Sequence, residues 1–199
     1  MILSALILIP FIGGLLCWLG ERLGVGIPRW IALISMLAVF GLGLMLWAQG
    51  DYSLANQAIG SAPRWQLEER YTWIPHLGVS IHLAIDGLSL MMVLLTGLLG
   101  IMAIGCSWSE IQRHVGFFHL NLLWSLGGVI GVFLALDMFL FFFFWEMMLV
   151  PVYFLIALWG HAGSDGKSRI YAATKFFIYT QVGGFLLLVG IFALVLVNF

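Results

Sequence analysis

From Phe117 to Trp159 the chain is apolar almost without interruption, and Asp137 is the acid that divides the run. At about 1.5 Å per residue, one helix of that length would be about twice the thickness of a bilayer's hydrocarbon core. The stretch is therefore predicted to form two spans, 117–136 and 138–159, joined by a tight hairpin at Asp137. Four further apolar runs of spanning length occur at 2–19, 30–47, 88–108 and 171–197. The fold class expected is all-α, a polytopic transmembrane helix bundle of about six helices. With 63% hydrophobic and 9% charged residues and a mean hydropathy of +1.11, the chain has too little polar surface to cover itself in water. That excludes a soluble enzyme domain. A net charge of -1 without a basic cluster excludes nucleic acid as a partner and leaves the lipid bilayer. Cys17 and Cys106 both fall in apolar segments without CxxC spacing, so neither a disulfide framework nor a zinc site is indicated.

The first run lacks a basic segment before it and a small-residue cleavage pattern after it, and is expected to be a retained helix. Residues 48–78 form the one long polar stretch, with Arg64, Glu68, Glu69, Arg70 and the prolines Pro63 and Pro75, and read as an extramembrane loop. Arg22, Arg29, Arg113, Lys167 and Arg169 follow the first, third and fifth spans, whereas Arg64 and Arg70 alone follow the second and fourth. The positive-inside rule then puts both termini outside and Gly160 to Arg169 in the cytoplasm. No internal repeat stands out. The run Phe141 to Phe144 is packing or lipid-facing material.

An ionisable group inside a span costs about 2.5 to 3.5 kcal/mol on the insertion scale, so each one requires a reason. Glu146 lies about 12 Å into the fifth span, with Phe142, Phe143, Leu149 and Val150 on its face. Pro151 has no N–H for the carbonyl of Met147, which loosens the backbone just beyond Glu146 and lets a polar group or water enter. Such a carboxyl serves either as a proton carrier or as neutral, hydrogen-bonded glue between helices. Lys175 lies near the cytoplasmic start of the sixth span, where its stem can snorkel to the headgroups or its ammonium can join a polar stripe with Tyr179 and Gln181. In antiparallel helices Glu146 would lie about 20 Å from the cytoplasmic end and Lys175 about 8 Å, so water rather than a direct ion pair would have to join them.

Asp86 precedes Gly87-Leu88-Ser89 as an N-cap for the third span, and His82 is placed to hydrogen-bond it. Asp137 is expected at the hairpin as a turn or cap, Glu110 at the interface, and His119 packed beside Asn121. A polar relay through Tyr179, Asp137, Asp86 or His82 is the alternative to these structural roles. Gly160 to Ser168 imitates a phosphate-binding loop but has the wrong glycine spacing and no preceding strand, so no nucleotide site follows. Gly127 and Gly131 form a GxxxG suited to close helix approach.

The stretch Phe141-Phe142-Phe143-Phe144-Trp145-Glu146-Met147-Met148-Leu149-Val150-Pro151 closely resembles the antiporter-like chain M (chain 4) family of bacterial NADH-quinone oxidoreductase, respiratory complex I. Ile9-Pro10-Phe11, Pro28-Arg29-Trp30, Ile85-Asp86-Gly87-Leu88-Ser89 and Ala173-Thr174-Lys175-Phe176-Phe177-Ile178-Tyr179 extend the resemblance along the whole chain. The resemblance implies a multi-pass subunit of the bacterial inner membrane that translocates protons, coupled to electron transfer from NADH to quinone in other subunits. It implies Glu146 and Lys175 as proton-translocating residues, Glu146 being the family's buried glutamate, paired with a lysine on the seventh helix. No catalytic, cofactor-binding or metal residue is implied in this chain. NADH, FMN, iron-sulfur clusters and quinone belong to other subunits, and the partners implied are other membrane-arm subunits, chiefly the neighbouring antiporter-like ones. Family members continue through a seventh and an eighth helix, each with a lysine, and through a second, inverted repeat. This chain stops after its sixth span, and the expectation is an N-terminal fragment that does not conduct alone. A subunit of a multi-chain cation/proton antiporter or membrane-bound hydrogenase, and a non-conducting assembly module, are the other readings.

Overall fold

The computed structural model describes residues 1–24, 26–50, 65–74, 79–161 and 168–198. Along the chain run α1 (Ile2–Gly20), α2 (Ile27–Gln49), β1 (Leu67–Ile74), β2 (Val79–Ile85), α3 (Gly87–Glu110), α4 (Val115–Leu134), α5 (Met138–Met147), α6 (Leu149–Trp159) and α7 (Arg169–Asn198). Among the described residues six stretches are long and apolar enough to cross a membrane, with α5 and α6 together making one of them. The polytopic bundle expected from the apolar runs is therefore what forms. The segment resembling a phosphate loop falls largely outside the described residues, as does the part of the polar stretch with Pro63, Arg64 and Pro75.

α4 is the centre of the bundle. Half of its apolar window (50%) is buried by other elements, against 11% for α7, which lies at the margin. Lipid tails are as apolar as leucine, so helices gain from packing backbones closely rather than from expelling water. Small residues do that here. A side chain at Gly14 of α1 would strike the ring of Trp124 on α4, and one at Gly127 of α4 would meet Pro10 and Phe11 of α1. Trp124 takes advantage of the approach, donating its indole N–H to the carbonyl of Phe11 at 3.1 Å. Further along α4, Gly128 and Gly131 receive Met148 and Phe144 of the broken fifth span. The GxxxG of Gly127 and Gly131 thus serves two neighbours on different faces.

At one end of the bundle β1 and β2 form an antiparallel hairpin, with Leu67 opposite Ile85, Arg70 opposite His82 and Thr72 opposite Ser80. β1 lies within residues 48–78, so that stretch contributes a strand at its C-terminal side to a bundle that is otherwise helical. Ile81, Leu83 and Ile85 alternate along one face of β2, the period of a half-buried strand, and Leu83 and Ile85 are buried in one cluster with Leu3 and Leu6 of α1, Leu134 of α4 and Phe144 of α5. Backbone pairing extends into the link between α4 and α5, where Leu136 N–H donates to the His82 carbonyl at 2.9 Å and Leu83 bridges Ala135. Trp73 of β1 lays its ring against Phe139 and Phe143, with centroids 6.3 and 5.8 Å away.

The opposite end is fastened by tryptophans. Trp108 stands edge-on to Trp30 at 5.3 Å, beneath the guanidinium of Arg29, which donates to the Ile111 carbonyl at 2.9 Å. Trp159 donates to the carbonyl of Arg113 at 3.1 Å. Indoles with one polar edge suit the headgroup level, where apolar and wet surroundings meet.

Candidate functional site

α5 begins at Asp137, whose Oδ1 accepts from the amides of Phe139 (2.8 Å) and Leu140 (3.1 Å) and whose Oδ2 is 3.5 Å from the Ser80 amide of β2. Nine residues on comes Glu146, in the last turn of α5. The helix stops at Met147 and resumes at Leu149, with Met148 between them. Pro151 causes this, because it cannot donate to the carbonyl four residues back, which is that of Met147. Flanking bonds persist, from Met148 N–H to the Phe144 carbonyl and from Val152 N–H to the Met148 carbonyl, both at 3.3 Å. The interruption is local and leaves α5 and α6 as one span.

α4 and α7 flank the interruption. Phe144 and Met148 press on Gly131 and Gly128 of α4. Glu146 faces α7, where its Oε2 accepts a 2.9 Å hydrogen bond from Nε2 of Gln181. Its Oε1 is buried and has no hydrogen-bond partner among the described residues. That oxygen points at Gly184, one turn beyond Gln181, and a methyl group at Gly184 would collide with it. The arrangement therefore has one oxygen held by a donor and the other bare in apolar surroundings. A carboxylic acid has one proton to place, and with Oε2 accepting from an N–H the natural site for it is Oε1.

The remaining residues singled out in the sequence lie elsewhere. Lys175 is exposed on α7, with Nζ 5.7 Å from the centre of the Tyr179 ring, and Tyr179 is exposed as well. No ion pair to Glu146 exists among the described residues. Asp86 caps α3 in a capping box: its Oδ1 accepts from the Ser89 amide at 2.7 Å, and the Ser89 hydroxyl accepts from the Asp86 amide at 2.9 Å. Burial pushes the Asp86 pKa up, but the hydrogen bonds from Ser89 outweigh it and hold the carboxyl below its ordinary 3.8. His82 does not bond Asp86. It pairs diagonally across the hairpin with Glu68 at 2.5 Å, two positions along β1 from Arg70, which stands directly opposite it. His119 and Asn121 do not bond each other either; each reaches back one turn on α4, to the carbonyls of Val115 and Phe117 at 2.7 Å. Glu110 is exposed at the end of α3.

Gln181 bonds Glu146 rather than forming a stripe with Lys175 and Tyr179, and Gly184, which no sequence motif marks, completes the site. Both were within reach of arithmetic. Along antiparallel helices Glu146 is about 20 Å from the end of α6 at Trp159, and Gln181 is about 18 Å from the start of α7 at Arg169. That matches depth to depth, whereas Lys175 lies far shallower.

The fold recurs in large membrane complexes. It superposes on the Mrp complex from Dietzia sp. with a TM-score of 0.73, covering 95% of this chain and 19% of that one at 21% identity. The archaeal membrane-bound sulfane sulfur reductase gives 0.71, at 25% identity over 95% of this chain and 27% of that one. Respiratory complex I from Thermus thermophilus gives 0.69, at 26% identity over 92% of this chain and 33% of that one. The family model described as NADH:quinone oxidoreductase/Mrp antiporter, TM, matches residues 135–198, the stretch that contains Glu146, Gln181 and Gly184. The class is thus that of antiporter-like membrane subunits. Within it, the chain is 67% identical over all 199 residues to NADH-quinone oxidoreductase subunit M of Escherichia coli strain K12, and 66% identical over 200 aligned residues to subunit M of Pseudomonas aeruginosa. It belongs to the subunit M family. The chain spans 39% of the length of those curated relatives.

Proposed function

We propose that the chain belongs to a proton-translocating, antiporter-like subunit in the membrane arm of an NADH:quinone oxidoreductase, and that Glu146 carries protons through it. The observation on which this rests is the Glu146 carboxyl itself, with Oε2 bonded to Gln181 and Oε1 buried without a partner among the described residues, beside a break in its own helix. Structural glue would have both oxygens occupied. The proton would arrive at Oε1, neutralise the carboxyl and leave when a cation or water approaches, while Gln181 keeps hold of Oε2 in both states. Lys175 supplies positive charge nearer the surface and draws acids and water toward that end, with Tyr179 sharing its ammonium through the ring face.

Electron transfer belongs to other subunits in this reading. Iron-sulfur clusters take cysteine ligands, four of them in the common cases, and this chain has two cysteines, Cys17 buried and Cys106 exposed. In the same reading NADH, FMN and quinone are bound by other subunits. Its partners are the neighbouring antiporter-like subunits, and its site is the bacterial inner membrane. The Mrp and sulfane sulfur reductase complexes share the fold, but at 21% and 25% identity they stand well behind the 67% of subunit M.

Replacing Glu146 by glutamine tests the reading in the native complex. Glu146→Gln preserves shape and a hydrogen bond to Gln181 but removes the titrating proton. Assembly is expected to remain intact and NADH-driven proton transport to fall at least about tenfold, the loss of a positioned proton-transfer group being worth about two to four orders of magnitude in other sites. Full transport in Glu146→Gln membranes would overturn it.

A further inference from the structure

We propose that Gln181 and Gly184 of α7 are positioning residues that form the seat of the Glu146 carboxyl, Gln181 holding Oε2 by its hydrogen bond and Gly184 leaving the space that Oε1 occupies. This rests on the reading of Glu146 as the proton carrier.

Two independent features of α7 converge on one carboxylate. Gln181 donates to Oε2 at 2.9 Å, and a hydrogen bond to the ionised form of an acid favours ionisation. Gly184 lies three residues on, on the same face of the helix. It is a buried position where any side chain would run into Oε1. The neighbouring glycine makes the point by contrast, because Gly183 is exposed and a methyl group there would touch nothing within 4 Å. Helix propensity alone disfavours glycine at either place by about 1 kcal/mol relative to alanine. At Gly184 the carboxylate explains it.

No other charged group competes for this role among the described residues. On α4 the titratable side chain is His119, bonded to the Val115 carbonyl. On α6 it is Tyr153, whose ring packs on Phe177 at 5.8 Å. Lys175 and Tyr179 are exposed and face each other, and on β2 His82 is paired with Glu68. On α5 itself Asp137 is spent on the cap. Gln181 is thus the donor that the described residues offer to the Glu146 carboxyl.

The test uses native membranes in which the chain is assembled in its complex. The pH dependence of Glu146 modification by dicyclohexylcarbodiimide, which attacks protonated membrane carboxyls, is read by mass spectrometry, and NADH-driven proton uptake is profiled against pH. Gln181→Met keeps the length of the side chain and removes the donor. It is expected to raise the midpoint of labelling by about one pH unit, since a hydrogen bond to a charged group is worth about that much, and to move the transport profile the same way. Gly184→Ala should displace the carboxylate from Gln181, raise the midpoint similarly and slow transport, whereas Gly183→Ala should match the parent in both. If Gly184→Ala fails to assemble, Gln181→Met decides alone. A labelling midpoint unmoved in Gln181→Met, in membranes where Glu146→Gln abolishes transport, would overturn the seat and leave the carrier standing. Transport that survives Glu146→Gln would overturn both.

Discussion

Single side chains do much of the fastening between hairpin and helices, and Glu69 is the clearest example. α1 has no side-chain cap of its own, and Glu69 supplies one from β1. It accepts from the amides of Leu3 (3.0 Å) and Ser4 (3.2 Å), from the Ser4 hydroxyl and from the amino group of Met1. Burial raises the pKa of Glu69, but the amino group, the Ser4 hydroxyl and the two amides together bring it below the ordinary 4.5. A depressed folded-state pKa means that the stabilisation is complete above the ordinary value and is lost as pH falls through the folded one. Glu69→Gln is therefore expected to loosen the first turn of α1 by about 1 kcal/mol at neutral pH, the cost of a lost cap. The difference from the parent should shrink as pH drops below the ordinary value of 4.5 and vanish only below the depressed folded-state value. Amide hydrogen exchange at Leu3 to Ile7 measures it, and equal exchange at neutral pH would contradict the capping role. Asp86→Ala should likewise cost about 1 kcal/mol in unfolding experiments while leaving proton transport unchanged per assembled complex, since its carboxylate is committed to Ser89. Asp86 was readable as a cap from Asp86-Gly87-Leu88-Ser89, because a cap is a local event. Glu69 was not, because its partners are separated from it by more than sixty positions.

Elements carry the same lesson. Apolar run length was sufficient to find the spans, and Pro151 was sufficient to find the break, since a proline's missing bond is fixed four residues back in the chain. The hairpin escaped because Pro63, Pro75 and the charges of 48–78 signal a loop, while the alternation Ile81, Leu83, Ile85 that defines β2 lies beyond that stretch and runs directly into α3. The bond from Gln181 to Glu146 escaped because an apolar span lets its few polar residues meet only across helices, and no local pattern states which depth faces which. Two substitutions test how the broken span is held. Pro151→Ala supplies an N–H for the Met147 carbonyl and relieves a penalty of up to about 3 kcal/mol. Amides from Met148 to Val152 should then exchange more slowly, and proton transport should fall as the polar gap beside Glu146 closes. Unchanged exchange would mean that the break does not depend on the proline. Gly131→Leu should act in the opposite sense, since Phe144 occupies the space that a side chain would need. Overpacking of this kind costs about 1 to 3 kcal/mol, read as a lower midpoint of detergent unfolding.

Among the described residues the arginines are concentrated at one end. The amino terminus, Glu68, Glu69, Arg70, Asp86 and Asp137 gather around the hairpin, while Arg22, Arg29, Arg113 and Arg169 lie at the other end with Glu21 and Glu110, where α1 finishes, α2 starts, α3 finishes and α7 starts. A bundle with basic residues concentrated at one end inserts with that end toward the cytoplasm, because translocating lysines and arginines is resisted. The hairpin is then expected on the periplasmic side, and His161, just past the end of α6, on the cytoplasmic side. In a background with Cys17 and Cys106 replaced, an impermeant maleimide applied to intact spheroplasts should label Glu68→Cys, which is about half exposed at 48% of its side chain. It should label His161→Cys only after the membrane is permeabilised. Labelling of His161→Cys from outside, with Glu68→Cys protected, would invert the molecule. If Glu146 carries protons as proposed, the outcome also sets which side of the membrane each approach to it faces. Glu146 lies about 14 Å along its helix from Asp137 and about 20 Å from Trp159. With the hairpin outside, the shorter path leads to the periplasm beneath Trp73 and the phenylalanines it covers. The longer path, past Tyr153 and the level of Lys175, then leads to the cytoplasm. Blocking the long path with Tyr153→Trp should slow reprotonation of Glu146 from the cytoplasm while Trp73→Ala leaves it unaffected; the reverse pattern would contradict the orientation.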